Sequence, residues 1–501
     1  SNTLAFFILS IFHLRNLSYH YKMEKSIRRK TVNGLVWSGI EKVAYEVIQF
    51  VVGIVLARLL TPNDYGLIGL ITVFITFSRL FIDGGLTTAL IQKKNRTRDD
   101  FDTVFLFNLA MSVFLYLIIF MIAPFVASYY ENGQLTWLLR SLALVLIISS
   151  FGTIQITQLT IDVDFKTISL VSIPAALLSG GVGILMALKG AGPYALVGQQ
   201  ISMVLFRSVI VNIVSRYRLR LFFSKECFKD MFSFSYKLVL SSSLDRIYES
   251  VYTLVIGKVF NSATLGLYTR GTQFVSLTTG ILGNVFNRVT FPVMSSVQDD
   301  NNKLRDVFKK YISGSSFLIV AALFCLALCA KPLILILLTE KWIEAVPIMQ
   351  IMCFAYLTDH VCTINRNLLY TKKRSDLALK LEFIKKGIAM AIFLVSLKFG
   401  IIGVCWGQVI YGVVATFLNS FYSKRLVEYG IMEQMREYGI MILFSAIASV
   451  IPVIFMNHFS NLYVQIIFAL LSFGIGYMIL NAIFRTYPFQ AIILSIKNRK
   501  K

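Results

Sequence analysis

The sequence has little charge and few of the residues from which soluble enzymes build their sites. Charged residues make up 15% of its 501 residues, whereas hydrophobic residues make up 56%, and the mean hydropathy is +0.70. The four histidines are scattered, and only His360, which follows Asp359 within an apolar segment, stands out as a candidate functional residue. A water-soluble protein of this length does not keep so much apolar surface away from solvent.

Cysteine patterns and nucleotide-binding patterns are also missing. The six cysteines are spread along the chain without a C-x-x-C pair, so neither a disulfide framework nor a zinc site is indicated. The pattern G-x-x-x-x-G-K-[ST], which cradles nucleotide phosphates, is absent, and this excludes ATP hydrolysis by that route. We therefore expect no bound cofactor.

Long uncharged runs are what the sequence contains instead. A helix needs about 20 predominantly apolar residues to cross a bilayer. Uncharged runs of that length or more occur at 103–130, 141–161, 167–188, 311–330, 399–423 and 438–484. The sequence therefore predicts an all-α polytopic membrane protein with about 14 transmembrane helices. The tenth span is predicted as one helix over 344–370.

The positive charge is distributed unevenly between successive loops. The formal net charge is +23, and almost all loop lysines and arginines lie in alternate loops and at the two termini. The intervening loops hold only Lys189, Lys331, Lys341 and Lys398. This asymmetry follows the positive-inside rule and predicts that both termini are cytoplasmic. Anionic lipid of the inner leaflet explains the basic loops better than nucleic acid does.

The chain is predicted to divide into six parts. Ser1-Asn2 resembles the remainder of a cleaved tag and Met23 reads as a native start, so we expect residues 1–22 to be a poorly ordered extension. The other parts are a first lobe over 23–217, a cytoplasmic linker over 218–231, a second lobe over 232–426, two further helices within 427–485 and a basic cytoplasmic tail over 486–501.

Two internal sequence matches support this division. VLARLLTPNDYGLI (55–68) matches VIGKVFNSATLGLY (255–268), and LKGAGPYALVGQQI (188–201) matches LKFGIIGVCWGQVI (397–410). The matched pairs are Arg58 with Lys258, Gly66 with Gly266, Leu67 with Leu267, Lys189 with Lys398, Gly198 with Gly407 and Gln199 with Gln408. The repeat predicts two pseudo-symmetric six-helix lobes that enter the membrane from the same side, plus two C-terminal helices.

Most of the intramembrane charges lie on four predicted spans, which are span 1 (about 31–60), span 2 (64–92), span 7 (232–260) and span 8 (264–291). A charge at the centre of a bilayer costs roughly 2.5–3.5 kcal/mol on the insertion scale, so we expect these spans to face a water-filled cavity between the lobes. Near span ends, at Arg58, Lys258 and Arg288, snorkelling to the interface is the alternative. Cations in such a cavity suit an anionic ligand, and arginine suits phosphate.

Five segments resemble a known family. They are ARLLTPNDYGLIGL, FIDGGLTTALIQKKNRT, FNRVTFPVMSSVQDD, TEKWIEAVPIMQIM and LLYTKKRSDLALKLEFIKK. Together they resemble the lipopolysaccharide and polysaccharide flippases of the bacterial polysaccharide transport family, in the branch of colanic-acid and teichuronic-acid exporters. The likeness covers about residues 24–490. One departure is Lys373, where members of the family often have glycine.

This resemblance implies a fold, a substrate and site residues. The fold is that of the multidrug/oligosaccharidyl-lipid/polysaccharide exporters, and the substrate is an undecaprenyl-pyrophosphate-linked repeat unit that rocking lobes carry to the outer leaflet of the bacterial cytoplasmic membrane. The implied anion-binding residues are Arg58, Arg79, Arg246, Lys258 and Arg270. The implied residues for proton or Na⁺ coupling, or for internal ion pairs, are Glu41, Glu46, Asp83, Asp245 and Glu249. The expected partners are membrane lipid and polysaccharide polymerases, and the expected state is a monomer.

Three other functions remain open at this stage. A cation-coupled multidrug antiporter of the same superfamily would have a mainly acidic or apolar cavity. A membrane polymerase or ligase would need a sizeable outer loop with clustered His, Arg or carboxylate residues, and the sequence contains none. A scaffold for capsule assembly would not need intramembrane charges. Transport without catalysis is therefore the prediction.

Overall fold

The computed structural model describes residues 25–83, 85–215, 217–218 and 220–498. Within its helices, the side chains at 25–36, 40, 83, 233–234, 236–245, 247, 249, 288, 492 and 495–498 lie outside the described residues. The predicted extension 1–22 lies outside them as well.

The described residues form helices and contain no β-strand, which confirms the all-α class. The helices are α1 Lys25–Leu59, α2 Pro62–Asp83, α3 Leu86–Gln92, α4 Arg98–Tyr129, α5 Gln134–Ile161, α6 Phe165–Leu188, α7 Tyr194–Val214, α8 Lys225–Val259, α9 Ser262–Ser296, α10 Asn301–Leu328, α11 Ala330–Leu337, α12 Ala345–Ala355, α13 Asp359–Thr371, α14 Ser375–Ser396, α15 Gly400–Ser420, α16 Ser423–Val427, α17 Ile431–Phe455, α18 Leu462–Ile483 and α19 Tyr487–Asn498.

Ten segments of the described chain are long and apolar enough to cross a membrane. The three 35-residue helices α1, α8 and α9 are not among the ten, and each includes side chains outside the described part of the chain. The chain is thus a multi-pass membrane protein, and the count of 14 spans stays a prediction.

Capping residues set several of the helix boundaries. The Thr97 hydroxyl accepts from the amide of Asp100 while the Asp100 carboxylate accepts from that of Thr97, so the start of α4 has a capping box. Asp300 accepts from the amides of Asn302 and Lys303 at the start of α10. Both devices satisfy amide donors that a helix leaves unpaired in its first turn.

The chain forms two compact units, and the division falls within α9. In the N-terminal unit, which holds 25–269 and Leu337–Trp342, α6 packs on α1 and α7, and α8 packs on α2, α3 and α4. Small residues allow close contact: a Cβ atom at Gly180 would lie 2.5 Å from Val52. A buried cluster in this unit comprises Leu86, Ala89, Leu90, Val104, Phe105, Ile154 and Met231.

The C-terminal unit holds 270–336 and 343–498 of the described residues. In it α10 packs on α12, α13 and α17, α17 packs on α18, and α15 packs on α12 and α14. The side chain of Gln434 in α17 is fully buried and forms hydrogen bonds with Asn365, Ser420 and Ser423. This network fastens α17 to α13, α15 and α16.

Candidate functional site

A polar face on α1 lies at the centre of the candidate site, in the N-terminal unit. Glu41, Tyr45 and Gln49 recur at every fourth residue, so they follow one side of the helix. All three are half-buried, and Nε2 of Gln199 in α7 donates to Oε1 of Gln49 at 3.2 Å. The polar face of α1 is therefore in contact with α7.

Tyr45 is surrounded by charges of both signs. Its phenol interacts electrostatically with the guanidinium groups of Arg207 and Arg79 and with the carboxylates of Glu46 and Glu41. Arg79 and Glu46 are exposed, whereas Arg207 is half-buried. We call these five residues the Tyr45 cluster. It brings together three of the candidates predicted from the sequence and adds Arg207.

Arg207 is not among the residues predicted from the sequence. It is the one charged residue of the 21-residue helix α7, and that isolation is the signal that identifies it. Its Nε atom is buried and has no hydrogen-bond acceptor within the described residues. Leaving a buried donor unsatisfied costs about 1–3 kcal/mol, and more for a charged group. A ligand that supplies an acceptor would remove this cost.

The Tyr45 cluster contains cationic groups that suit an anion together with two carboxylates. Arg79 and Arg207 offer planar forks of donors that match phosphate oxygens, and the Tyr45 hydroxyl adds a neutral donor. Glu41 and Glu46 act on Tyr45 with the opposite sign to the two arginines. No group of three His, Cys, Asp or Glu side chains in the described part of the chain forms a metal site.

Arg58 and Lys258, predicted as anion-binding residues, contact the C-terminal ends of helices. Arg58 Nε donates to the Leu337 carbonyl oxygen at 2.9 Å. Lys258 Nζ donates to the Tyr129 carbonyl oxygen at 2.6 Å and lies 3.1 Å from Oε1 of Glu131. Each cation thereby complements the negative end of a helix dipole. A role for either residue in substrate binding stays a prediction.

Trp342 strengthens the contact near Arg58. Its side chain is fully buried, its Nε1 atom donates to the Ala57 carbonyl oxygen at 2.9 Å, and its ring meets that of Tyr65 edge-on at 5.4 Å. Lys341 Nζ donates to the Arg58 carbonyl oxygen at 3.0 Å. The carbonyl groups at the C-terminal end of a helix lack intrahelical donors. These two hydrogen bonds supply donors to such carbonyls at the end of α1.

The structure describes the surroundings of only some of the other predicted site residues. Arg246 is an exposed residue of α8. Arg270 is a half-buried residue of α9, and its Nη1 atom donates to Oε1 of Gln273. The side chains of Asp83, Asp245 and Glu249 lie outside the described residues. The assignment of these five residues to anion binding or ion coupling stays a prediction.

Lys93 fastens the segment before α4 to the first turns of α8. Its Nζ atom lies 3.0 Å from Oδ1 of Asp100 and 3.0 Å from Oδ2 of Asp230. The hydrogen bond with the Asp100 carboxylate, helped by Asp230, raises the pKa of Lys93 despite partial burial. Tyr217, just before the predicted linker, donates its hydroxyl to the buried carboxylate of Asp102. The predicted linker therefore begins and ends at fixed contacts.

Comparison with known sequences places the chain among proteins of polysaccharide synthesis. Residues 55–347 match the family described as "Polysaccharide biosynthesis protein". The chain is 25% identical to an uncharacterized membrane protein in the cps region of Klebsiella pneumoniae, over 80% of this chain and 84% of that protein. It is 24% identical to the lipopolysaccharide biosynthesis protein WzxC of Escherichia coli, over 79% of this chain and 81% of that protein.

Comparison with solved structures identifies the fold. The lipid II flippase MurJ in its inward closed conformation aligns with a TM-score of 0.73, over 91% of this chain and all of that one, at 14% sequence identity. At that identity the similarity establishes the fold alone.

Proposed function

Because this chain belongs to the polysaccharide biosynthesis protein family, we propose that it is a flippase for lipid-linked oligosaccharides. Its substrate would be an undecaprenyl-pyrophosphate-linked repeat unit, which it turns from the inner to the outer leaflet of the bacterial cytoplasmic membrane. Both termini face the cytoplasm in this proposal, and the protein acts as a monomer without catalysis. It delivers its product to a polysaccharide polymerase. The name of WzxC as a lipopolysaccharide biosynthesis protein and that of MurJ as a lipid II flippase support this direction.

The Tyr45 cluster is the observation that carries the proposal. A lipid-linked sugar has two parts that a bilayer excludes, the diphosphate and the glycan. Arg207 presents a buried donor without an acceptor among the described residues, and Arg79 shares its electrostatic environment at Tyr45. These two guanidinium groups bind the diphosphate, while the prenyl chain stays in lipid.

Glu41 and Glu46 supply the coupling in this proposal. A proton or a Na⁺ ion that neutralises them strengthens the hold of Arg79 and Arg207 on the diphosphate, because the carboxylates then no longer compete. With the cytoplasm negative, outward movement of the diphosphate releases about 2.3 kcal/mol for each negative charge per 100 mV, and a cation that travels outward with it reduces this gain. When the cation is released at the outer side, Glu41 and Glu46 are negatively charged again. They then compete with the diphosphate for Arg79 and Arg207, and the lipid is released.

A flipping assay in vesicles tests the proposal. The purified full-length protein is reconstituted with a fluorescent prenyl-pyrophosphate sugar, and a membrane-impermeant quencher reports the fraction in the outer leaflet with and without pH and Na⁺ gradients. We expect the protein to make the inner-leaflet lipid accessible to the quencher. Accessibility equal to that of protein-free vesicles under every gradient would overturn the proposal. Transport of a cationic dye in the same vesicles would favour the antiporter instead.

A further inference from the structure

The C-terminal unit contains a cavity that the proposed diphosphate site does not use. Its volume is about 250 Å³, and its walls come from α9, α10 and the junction between α12 and α13. That junction interrupts a 27-residue membrane span, Ala345–Thr371, at residues 356–358. Interrupted helices at membrane depth occur where the freed backbone is buried in protein or lines a polar cavity.

The walls of this cavity carry several polar side chains. Asn284 and Asn287 of α9, Asp359 at the start of α13 and Thr363 one turn later all line it. Asn284, Asn287 and Asp359 are exposed to the cavity or its mouth. Within the described residues, neither carboxamide has a hydrogen-bond partner. Carboxamides exposed at membrane depth without a partner point to a polar occupant.

His360 gives the cavity one rigid polar wall. Its ring is buried, and its Nε2 atom lies 2.8 Å from the Ser316 hydroxyl oxygen. Its Nδ1 atom has no partner in the part of the chain that the structure describes. The hydrogen bond with Ser316 holds the imidazole in place beside Asp359.

Charge and size restrict what the cavity can hold. The described lining residues include one carboxylate and neither lysine nor arginine, so the cavity does not suit a diphosphate. Its 250 Å³ equals about eight times the ~30 Å³ that a water molecule occupies in the liquid. A cation coordinated directly by side-chain oxygens fills much less space.

A sugar ring matches both restrictions. Each hydroxyl of a sugar donates and accepts hydrogen bonds, and a carboxamide offers both kinds of partner at one planar group. Asp359 adds an acceptor, whereas Phe286 and Tyr356 add aromatic surface to the walls for the apolar face of a ring. A site built to hydrogen-bond substrate hydroxyls also discriminates strongly between substrates, because an analogue that lacks one leaves a polar group unpaired.

We propose that this cavity binds a sugar ring of the lipid-linked repeat unit, with Asn284, Asn287 and Asp359 hydrogen-bonded to its hydroxyl groups. The inference rests on the proposed flippase function and adds the element that selects the glycan. The cations of the Tyr45 cluster would recognise any prenyl diphosphate, and the C-terminal cavity would recognise the sugar.

Binding of defined lipids to the purified full-length protein tests this inference. The probes are bare undecaprenyl pyrophosphate and undecaprenyl pyrophosphates that carry glucose, galactose or N-acetylglucosamine. We expect at least one sugar to tighten binding about tenfold or more relative to the bare lipid. Asn284→Leu and Asn287→Leu, which keep the side-chain shape, should each reduce that ratio about tenfold, the effect of roughly one lost hydrogen bond of 1.4 kcal/mol. Their affinity for the bare lipid should not change.

Thr278→Val is the matched control, because Thr278 lies on the same helix, does not line the cavity and donates to the Phe274 carbonyl oxygen. It should leave the sugar-dependent ratio at the wild-type value. If no sugar tightens binding to the wild type, or if the two variants keep the full ratio, the inference is wrong. Lipid binding is also compared in NaCl and in choline chloride. If Asp359→Asn abolishes a difference in affinity between these salts and leaves the sugar-dependent ratio intact, the cavity is a cation site. Failure of the wild type to bind bare undecaprenyl pyrophosphate would overturn the flippase proposal itself.

Discussion

Gly66 and Gly266, which the internal repeat pairs at a separation of 200 residues, make reciprocal backbone contacts. A Cβ atom at Gly66 would lie 1.6 Å from the Ser262 carbonyl oxygen, and one at Gly266 would lie 1.8 Å from the Pro62 carbonyl oxygen. Pro62 and Ser262 are equivalent positions in the repeat, and each precedes its own glycine by four residues. Each glycine therefore contacts the residue that precedes the other glycine. Such exchange of equivalent partners is what a two-fold axis produces. The starts of α2 and α9 are therefore in contact without any side chain between them.

Replacement of either glycine by alanine should force these helix starts apart. We expect Gly66→Ala and Gly266→Ala each to destabilise the protein by about 3 kcal/mol, since the obstacle is a backbone carbonyl that cannot rotate away. Thermal unfolding in detergent measures the effect. Gly181→Ala is the control, because nothing lies within 4 Å of a Cβ atom at that position of α6. Equal stability of all three variants would refute the contact.

A disulfide across the same contact should stop transport. The Ser262 hydroxyl donates to Oδ1 of Asn63, so the two side chains are in direct contact, and cysteines at these positions are the natural pair for an engineered disulfide bond. All six native cysteines are free thiols. We expect the variant N63C/S262C to flip lipid when reduced, to lose flipping when oxidised and to regain it on reduction, because alternating access requires this contact to open.

The single variant S262C is the control for oxidation elsewhere in the chain. It should flip lipid at the same rate under oxidising and reducing conditions. Full activity of a quantitatively cross-linked N63C/S262C protein would show that the contact stays closed throughout transport.

Gln434 should be important for the stability of the C-terminal unit. Gln434→Leu leaves the buried Ser420 hydroxyl and the buried Oδ1 atom of Asn365 without their hydrogen-bond partner, whereas Ser423 still donates to the Ser420 carbonyl oxygen. Each buried polar group left unpaired costs about 1–3 kcal/mol, so the unfolding temperature should fall markedly. Gln465→Leu serves for comparison, because Gln465 is half-buried and donates only to the Phe459 carbonyl oxygen. A similar small loss in both variants would contradict the importance of the network.

Lys373 occupies a backbone conformation that favours glycine. Its φ angle is +58°, and the amides of Arg374 and Lys373 donate to the carbonyls of Leu369 and Tyr370, as in a Schellman motif that ends α13. Relief of left-handed strain should make Lys373→Gly more stable by about 1 kcal/mol. Lys373→Ala also removes the charge but keeps the Cβ atom, so its unfolding temperature should not rise. A rise in both variants would assign the effect to charge.

Two positions that stand out in the sequence, Lys373 and the pair Gly66 and Gly266, have a structural explanation. The family resemblance marks the position as one where glycine is usual, and the positive φ angle explains why. The repeat likewise aligns Gly66 with Gly266, the two glycines that meet each other's preceding turns. In both cases the sequence marks the position, and the structure supplies the physical reason.

Other features of the fold and the site depend on packing between helices, which local sequence patterns do not predict. The sequence predicts the tenth span as one helix over 344–370, but the helix breaks at 356–358 although residues 354–360 contain neither proline nor glycine. Arg207 is not predicted from the sequence because most intramembrane charges lie on spans 1, 2, 7 and 8, which do not include it. Its interaction with Tyr45 depends on the packing of α6 on both α1 and α7. Asp359 and His360 stand out in the sequence, but the cavity beside them does not.

The most direct test of the account compares Arg207→Leu with wild-type protein in the vesicle assay, using a prenyl-pyrophosphate sugar and a prenyl sugar with a neutral linkage. Arg207→Lys, which keeps the charge but not the planar fork, is the matched variant. The account predicts that the wild type flips the diphosphate lipid in strong preference to the neutral one. Arg207→Leu should lose most of that preference and still insert into the membrane, with Arg207→Lys in between. Undiminished preference for the diphosphate lipid in Arg207→Leu would contradict the claim that guanidinium groups near Tyr45 recognise the diphosphate.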